Sequence, residues 1–347
     1  MAQLPSFVVF ILSCALVVHG QNLANLLTIQ PGTTNGGCGA RTADLNQYAT
    51  ESLQSVQVAI NAIRTHGGAN TANGRKVRRA LDTFFKISPS IQRGQNGRDK
   101  IATNLEYVRT WFTTGFPEIP PDETFLFCDS SFLVRHAVTD QAQDYQGNGI
   151  TQNGQNVPIS TAYATKLTGQ NVPWWAGTHT TANGYYFTAA DSGGNYCNTD
   201  GRDGLTAILD LYVADPNGAA KKHAVYSTIL LCPGSFDNPD KPATWPAGSN
   251  QIRQGHSLQT ALPKCMTLLH EAFHLIFGVG PPDGMLEGSS EFYTLAECIN
   301  RRKSASVLRT NPENYVFFIA SMYYLFGTAP AIPENWDFTN RPDSAQR

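Results

Sequence analysis

The sequence predicts an α+β fold, with helices at both ends of the chain and a small mixed or antiparallel sheet between them. Three observations predict it. Apolar residues recur every three to four positions through the first third of the chain, strand-like runs lie within residues 124–232, and two strongly apolar helical segments follow residue 262. With 347 residues, the chain is long enough to bury a continuous core.

The first third is predicted to be helical. Residues 42–66 place apolar side chains at helical spacing and end at Gly67-Gly68, and the same period recurs in residues 77–85 and 101–111. Residues 21–40, rich in Gly, Thr and Asn, are expected to be irregular, with Cys38 as a covalent anchor. We therefore expect residues 21–120 to form an N-terminal helical layer without chemistry of its own, and leave open whether part of it is a propeptide.

The middle of the chain changes to a strand-like period. The predicted strands are residues 124–128, 132–138, 185–188, 205–213 and 223–232. A polar stretch, residues 141–170, is expected to be a long surface loop. Trp174 and Trp175 are expected to cover an edge of the core rather than to line a groove.

The beginning of the chain predicts export. Residues 7–18 are apolar but too short to span a bilayer, and Val18-His19-Gly20 offers small residues at a plausible cleavage point, so residues 1–20 are read as a signal peptide. Six cysteines lie beyond it, an even number compatible with three disulfides in a secreted, extracellular protein. No pair has the C-x-x-C spacing of a cysteine-rich zinc site.

Charge excludes several kinds of partner. The formal net charge is −2 and only 15% of residues are charged, which gives no electrostatic basis for binding nucleic acid or an anionic membrane. The one basic cluster, residues 75–79, is most simply the solvated face of a helix. No later stretch is long and apolar enough for a membrane span, and we expect a monomer.

Residues 263–278 form the segment with the clearest chemistry. Within this predicted apolar helix, His270, Glu271 and His274 make an H-E-x-x-H motif. Residues four apart lie on one helical face, so both imidazoles can reach one Zn²⁺ ion, and Glu271 lies beside them as a candidate general base. The competing interpretation, two core histidines beside an unrelated acid, requires a chance match to the motif.

The segments around this helix resemble a known family. In order, they are residues 229–236, which end a strand in Cys-Pro-Gly-Ser-Phe, residues 267–274, Gly280-Pro-Pro-Asp283, Tyr293 and residues 311–318. This order resembles the deuterolysin-type (aspzincin) fungal metalloendopeptidases and the related peptidyl-Lys metalloendopeptidases, over roughly residues 229–326.

The resemblance implies a fold and an activity. It implies a zincin-like metallopeptidase domain over residues 121–347, in which two C-terminal helices, residues 291–302 and 312–326, follow the H-E-x-x-H helix. The implied activity is hydrolysis of protein or peptide substrates by a secreted zinc endopeptidase, with Glu271 as general base. Tyr293 would then donate a hydrogen bond to the developing oxyanion.

The third metal ligand stays open between three acids. The family takes it from an Asp in a G-x-x-D-x-x-Y segment, which corresponds to Asp283, but Leu286 stands where the tyrosine is expected. The following residues resemble the segment with which glutamate-class zincins supply their ligand. Glu287 is therefore an alternative to Asp283, and Glu291 is a third.

Two further expectations concern function. In the Lys-specific relatives, two acids on the helix corresponding to residues 312–326 bind the substrate lysine. The matching residues here are Glu313 and Val316, so no strict lysine preference is expected, and the simplest interpretation of Glu313 is a charge that only stabilises the helix N-terminus. The alternative function is a secreted, non-catalytic zinc-binding or antigen-type protein on the same scaffold.

Overall fold

The computed structural model describes residues 22–177, 183–189, 196–198, 203–213, 222–245, 257–278, 284–286 and 290–327. The predicted signal peptide lies outside these ranges. The helices of the described residues are α1 (Thr42–His66), α2 (Ala72–Phe85), α3 (Gln95–Thr114), α4 (Ile159–Ala162), α5 (Gly234–Asp237), α6 (Cys265–Phe277), α7 (Leu295–Cys298), α8 (Ala305–Arg309) and α9 (Pro312–Phe326). None of them has the length and apolarity needed to cross a membrane.

The strands form one main sheet and one small hairpin. They are β1 (Thr28–Ile29), β2 (Thr124–Phe127), β3 (Val134–Arg135), β4 (Thr151–Gln152), β5 (Gln155–Asn156), β6 (Asn171–Trp175), β7 (Tyr185–Ala189), β8 (Gly204–Val213) and β9 (Lys222–Leu231). The main sheet has the order β1-β2-β9-β8-β7-β6-β3, in which β1, β2 and β9 are parallel and the other pairs are antiparallel. The expectation of helices with a mixed sheet is confirmed.

Alternation along the strands gives the sheet two buried faces. Leu126, Ile229 and Leu231 belong to a core shared with α1, α2, α3, α6 and α9. Phe127 and Leu230, on the opposite face, pack in a second core that also contains Trp174. Trp174 and Trp175 are both buried, as expected for residues that cover a core.

The end of α2 attaches the N-terminal helices to the C-terminal part of the chain. Helix ends leave backbone carbonyls without intrahelical partners. Here Asn314 Nδ2 donates to Phe84 O at 2.7 Å, and Arg309 Nε donates to Phe85 O at 3.2 Å. The basic cluster of α2 is also not wholly solvated, because Arg78 is buried and donates to the carbonyl of Ala69.

Two predicted segments differ in the structure. Residues 291–302 are not one helix: only α7 is helical, because Thr294 starts it with a capping box to Glu297 and the residues before it are irregular. The predicted loop, residues 141–170, contains the β4–β5 hairpin, the short helix α4 and a 3₁₀ turn.

The cysteines form two disulfides rather than three among the described residues. Cys38 pairs with Cys128, and Cys197 pairs with Cys232. Cys265 and Cys298 are buried free thiols with different surroundings. Cys265 begins α6 and its carbonyl faces α1, whereas Cys298 ends α7 beside the start of α9, at Asn311. The two disulfides fit the expectation of a disulfide-bonded protein. The expectation of a third disulfide is wrong, because Cys265 and Cys298 are free.

Candidate metal centre

Helix α6 presents both histidines of the motif to one point. It is buried from Cys265 to Leu275, and it ends at Gly278, whose positive φ of 72° suits glycine. His270 and His274 are buried on the same helical face with ring centroids 5.1 Å apart. The four-residue spacing therefore brings the two imidazoles together, as the sequence predicts.

A third side chain, Glu291, reaches the same point from the irregular segment before α7. Its Oε1 lies 2.9 Å from His270 Nε2 and 3.4 Å from His274 Nε2, and the three ligand atoms lie within 4.8 Å of one another. The Glu291 side chain is only 2% exposed. Asp283 and Glu287, the other two candidate ligands, lie outside the described residues.

The electrostatics of this group are strongly coupled. Burial would raise the pKa of Glu291, but the close imidazoles of His270 and His274 outweigh it and lower the pKa to about 2. Burial would lower the pKa of His270, but Glu291 and Glu313 together raise it well above its usual value. Without a metal ion, these two shifts favour an ionised Glu291 carboxylate and a protonated His270 imidazole.

The donor set fits a divalent cation. Glu291 Oε1 approaches both Nε2 atoms, yet it has no partner with hydrogen-bond geometry among the described residues, and neither does His274 Nδ1. Two imidazole nitrogens and one carboxylate oxygen match the ligands of catalytic zinc sites, which leave a further position open. The buried His270–His274–Glu291 group could therefore bind a metal ion.

Glu271 lies on the neighbouring face of α6, against strand β8. Thr206 Oγ1 lies 2.8 Å from Glu271 Oε2 and 2.9 Å from the Glu271 carbonyl, so its single hydrogen can be donated to either. A Cβ on Gly204 would lie 2.5 Å from Glu271 Oε1, so glycine leaves room for the carboxylate. Burial raises the pKa of Glu271 above its ordinary value, against the opposing charges of His270 and His274.

Glu313 forms a second layer around His270. Its Oε2 accepts a hydrogen bond from His270 Nδ1 at 2.9 Å, on the far side of the ring from Glu291. Metal-ligating histidines typically donate their other ring nitrogen to such a carboxylate, which fixes the tautomer and the ring orientation. The expectation that Glu313 serves only the helix N-terminus is therefore wrong. Val316 is buried at 1% exposure and does not face solvent.

Tyr293 borders the group on its open side. Its hydroxyl donates to Glu291 Oε2 at 2.6 Å, and its ring stacks on His270 at 5.8 Å, while the residue as a whole is 52% exposed. Burial of the hydroxyl, together with the charge of Glu291, raises the pKa of Tyr293. The hydroxyl therefore stays protonated, and its single hydrogen is donated to Glu291.

Sequence reasoning missed the residues that support the motif. Thr206 precedes Glu271 by 65 positions and Gly204 lies earlier still, while Asn311, which contacts the Glu291 segment, follows α6, so no local pattern connects them. Only the strand prediction for residues 205–213 placed Thr206 in a sheet.

Comparisons of the chain with protein-family models, with curated proteins and with solved structures found no match.

Proposed function

We propose that this chain is a secreted, zinc-dependent endopeptidase. The observation that carries the proposal is Glu271. A site that only bound metal would need His270, His274 and Glu291, but it would not need a second buried carboxylate one residue along the helix, held by Thr206 and accommodated by Gly204. A buried acid with a raised pKa beside a metal site is typical of a general base.

His270, His274 and Glu291 would hold the ion. Zinc bound there would supply an acidified water and a Lewis acid for the scissile carbonyl. The ligand set is that of a glutamate-class zincin rather than of the aspzincins, which use an aspartate. This favours Glu291, the third of the acids that the sequence left open, over Asp283, the acid that the resemblance implies.

The other residues have distinct parts in the proposed reaction. Glu271 takes a proton from the attacking water and delivers it to the leaving amine. Thr206 keeps the Glu271 carboxylate against β8, and Glu313 holds the His270 ring with Nε2 facing Glu291, the orientation in which both would hold the ion. Tyr293 donates its single hydrogen to Glu291 in the metal-free protein, and in the proposed reaction it turns this hydrogen to the oxyanion that develops on the substrate.

Neither residue at the lysine-binding positions is available to a substrate. Glu313 is hydrogen-bonded to His270, and Val316, on α9, is buried in the core of the protein. We therefore propose an endopeptidase without a strict lysine preference. The two disulfides are compatible with export to an oxidising compartment.

The test is casein cleavage by the purified wild type and by Glu271→Gln, with zinc content measured in both. We expect one zinc per chain in each protein, and a loss of cleavage of at least about 100-fold in Glu271→Gln, since general-base catalysis contributes about 10²- to 10⁴-fold. Equal zinc content with no cleavage by either protein would reject the enzyme and support the alternative, a non-catalytic zinc-binding protein.

A further inference from the structure

Asn311 occupies a capping position without capping its helix. It directly precedes Pro312, the first residue of α9, where an Asn side chain ordinarily accepts hydrogen bonds from the first backbone N–H groups of the helix. The Asn311 side chain makes no such bond and is fully buried. A buried amide that is turned away from its own helix must be bonded to something else.

The Asn311 side chain is bonded instead to the backbone of Phe292. Asn311 Oδ1 accepts from Phe292 N at 3.2 Å, and Asn311 Nδ2 donates to Phe292 O at 3.0 Å. The second hydrogen of Nδ2 is donated to Asn314 Oδ1 at 3.0 Å. The side chain therefore pairs with both polar groups of one residue, as a neighbouring strand would.

Phe292 adjoins Glu291, the third member of the candidate metal group. Residues 291–293 belong to no helix or strand, so their conformation depends on side-chain contacts. Phe292 is buried, and Lys303 Nζ lies 4.3 Å from its ring centroid. Fixing the Phe292 backbone limits where the Glu291 carboxylate can lie.

The first turn of α9 thus supports two members of the metal group at once. Glu313 holds His270, and two residues earlier Asn311 holds the segment of Glu291. Asn314 fixes this first turn in place, because its Nδ2 donates to Phe84 O and, at 2.9 Å, to Cys298 O. One rigid element therefore sets the relative positions of a histidine on α6 and a glutamate on an irregular segment.

We propose that Asn311 is a positioning residue for the metal centre, acting through the Phe292 backbone on Glu291 without touching the ion. This inference rests on the proposed function only in that the group binds zinc. It assigns to Asn311 an effect on metal affinity that a purely structural asparagine would not have.

A double-mutant cycle on the full exported chain tests this. Zinc Kd is measured by chelator competition for the wild type, Asn311→Ala, Glu291→Ala and the double variant, below the unfolding transition of each. We expect Asn311→Ala to weaken binding by about 10- to 100-fold when Glu291 is present, as for other supporting residues of metal ligands. On the Glu291→Ala background it should change Kd by less than about twofold, because the side chain it positions is gone.

Two controls separate this role from general damage. Ser321→Ala removes a buried hydrogen bond of α9 to Phe318 O, away from the site, and should leave zinc Kd unchanged. If Asn311→Ala does not fold, Asn311→Asp replaces it, since its carboxylate can still accept from Phe292 N but cannot donate to Phe292 O. Equal losses of affinity on both backgrounds would overturn the role of Asn311. A wild type that binds no zinc would overturn the metal centre itself, which is a different result.

Discussion

Replacing Glu313 tests the second layer of the metal group. Its carboxylate accepts from His270 Nδ1 at 2.9 Å and is largely buried. Hydrogen bonds to charged groups contribute about 1.5–3 kcal/mol and neutral ones about 0.5–1.5 kcal/mol. Glu313→Gln keeps an acceptor but loses the charge, so it should weaken zinc binding by about 1–1.5 kcal/mol, or about five- to tenfold in Kd. Glu313→Ala, which removes the acceptor altogether, should raise the zinc Kd by about 10- to 100-fold.

The size of this effect should depend on pH. Glu313 also stabilises the protonated His270 of the metal-free protein, because together with Glu291 it raises that pKa against the opposing effect of burial. Below the His270 pKa, Glu313 favours the proton as well as the ion, and part of its contribution cancels. The difference in Kd between wild type and Glu313→Gln should therefore widen as pH rises through the His270 pKa.

The assay is chelator competition at about pH 6 and about pH 9, with thermal unfolding of the metal-free proteins alongside. Glu313 also lies in the first turn of α9, where a negative charge stabilises a helix by about 0.3–1 kcal/mol. Asp44→Asn, in the first turn of α1, removes a comparable helix charge and should lower stability without changing Kd. If both Glu313 variants bound zinc with the same Kd as the wild type at high pH, the proposed role of Glu313 in supporting His270 would be refuted.

Three further predictions follow from the same contacts. Gly204→Ala should displace the Glu271 carboxylate and lower kcat for casein by about 100-fold, with zinc affinity retained, because misplacing a catalytic group by about 1 Å has effects of that size. Zinc binding at about pH 7 should release about one proton from His270, measured by calorimetry in buffers of different ionisation enthalpy, and fewer from Glu313→Gln. Cys265 and Cys298 should resist thiol reagents in the native protein, since burial raises both pKa values, and should react on unfolding.

Each of these has an outcome that contradicts it. Unchanged kcat in Gly204→Ala would show that the Glu271 carboxylate is not held against β8. Heats of binding that do not depend on the buffer would show that His270 is already neutral before the ion arrives. Rapid labelling of Cys265 or Cys298 in native protein would contradict their burial. If neither were labelled after unfolding, the two cysteines would have to be joined in the predicted third disulfide.

The helices were largely predictable from the sequence because their signals are local. The α1 bounds follow from its apolar period and Gly67, and α9 begins at Pro312, where a missing N–H has no cost. Strands β8 and β9 also lie where residues 205–213 and 223–232 predict them. By contrast, β6 was missed because Pro173 lies within it, and Pro is usually excluded from sheets.

The site was predictable only in part. H-E-x-x-H is a local pattern, so it identified His270, Glu271 and His274. The contribution of Glu291 depends on the path of an irregular segment, which the Phe292–Asn311 pairing helps to fix, and this pairing joins residues 19 positions apart. The predicted helix over residues 291–302 failed for a related reason, although the Thr294–Glu297 capping box that starts α7 could have been read from the sequence.

The central claim is that His270, His274 and Glu291 together hold one zinc ion. Its most direct test is the zinc content and zinc Kd of the wild type beside Glu291→Ala, Asp283→Ala and Glu287→Ala. We predict one tightly bound zinc per chain in the wild type and in the Asp283 and Glu287 variants, with binding severely weakened only in Glu291→Ala. Tight binding that survives Glu291→Ala but is lost in either of the other two variants would contradict it.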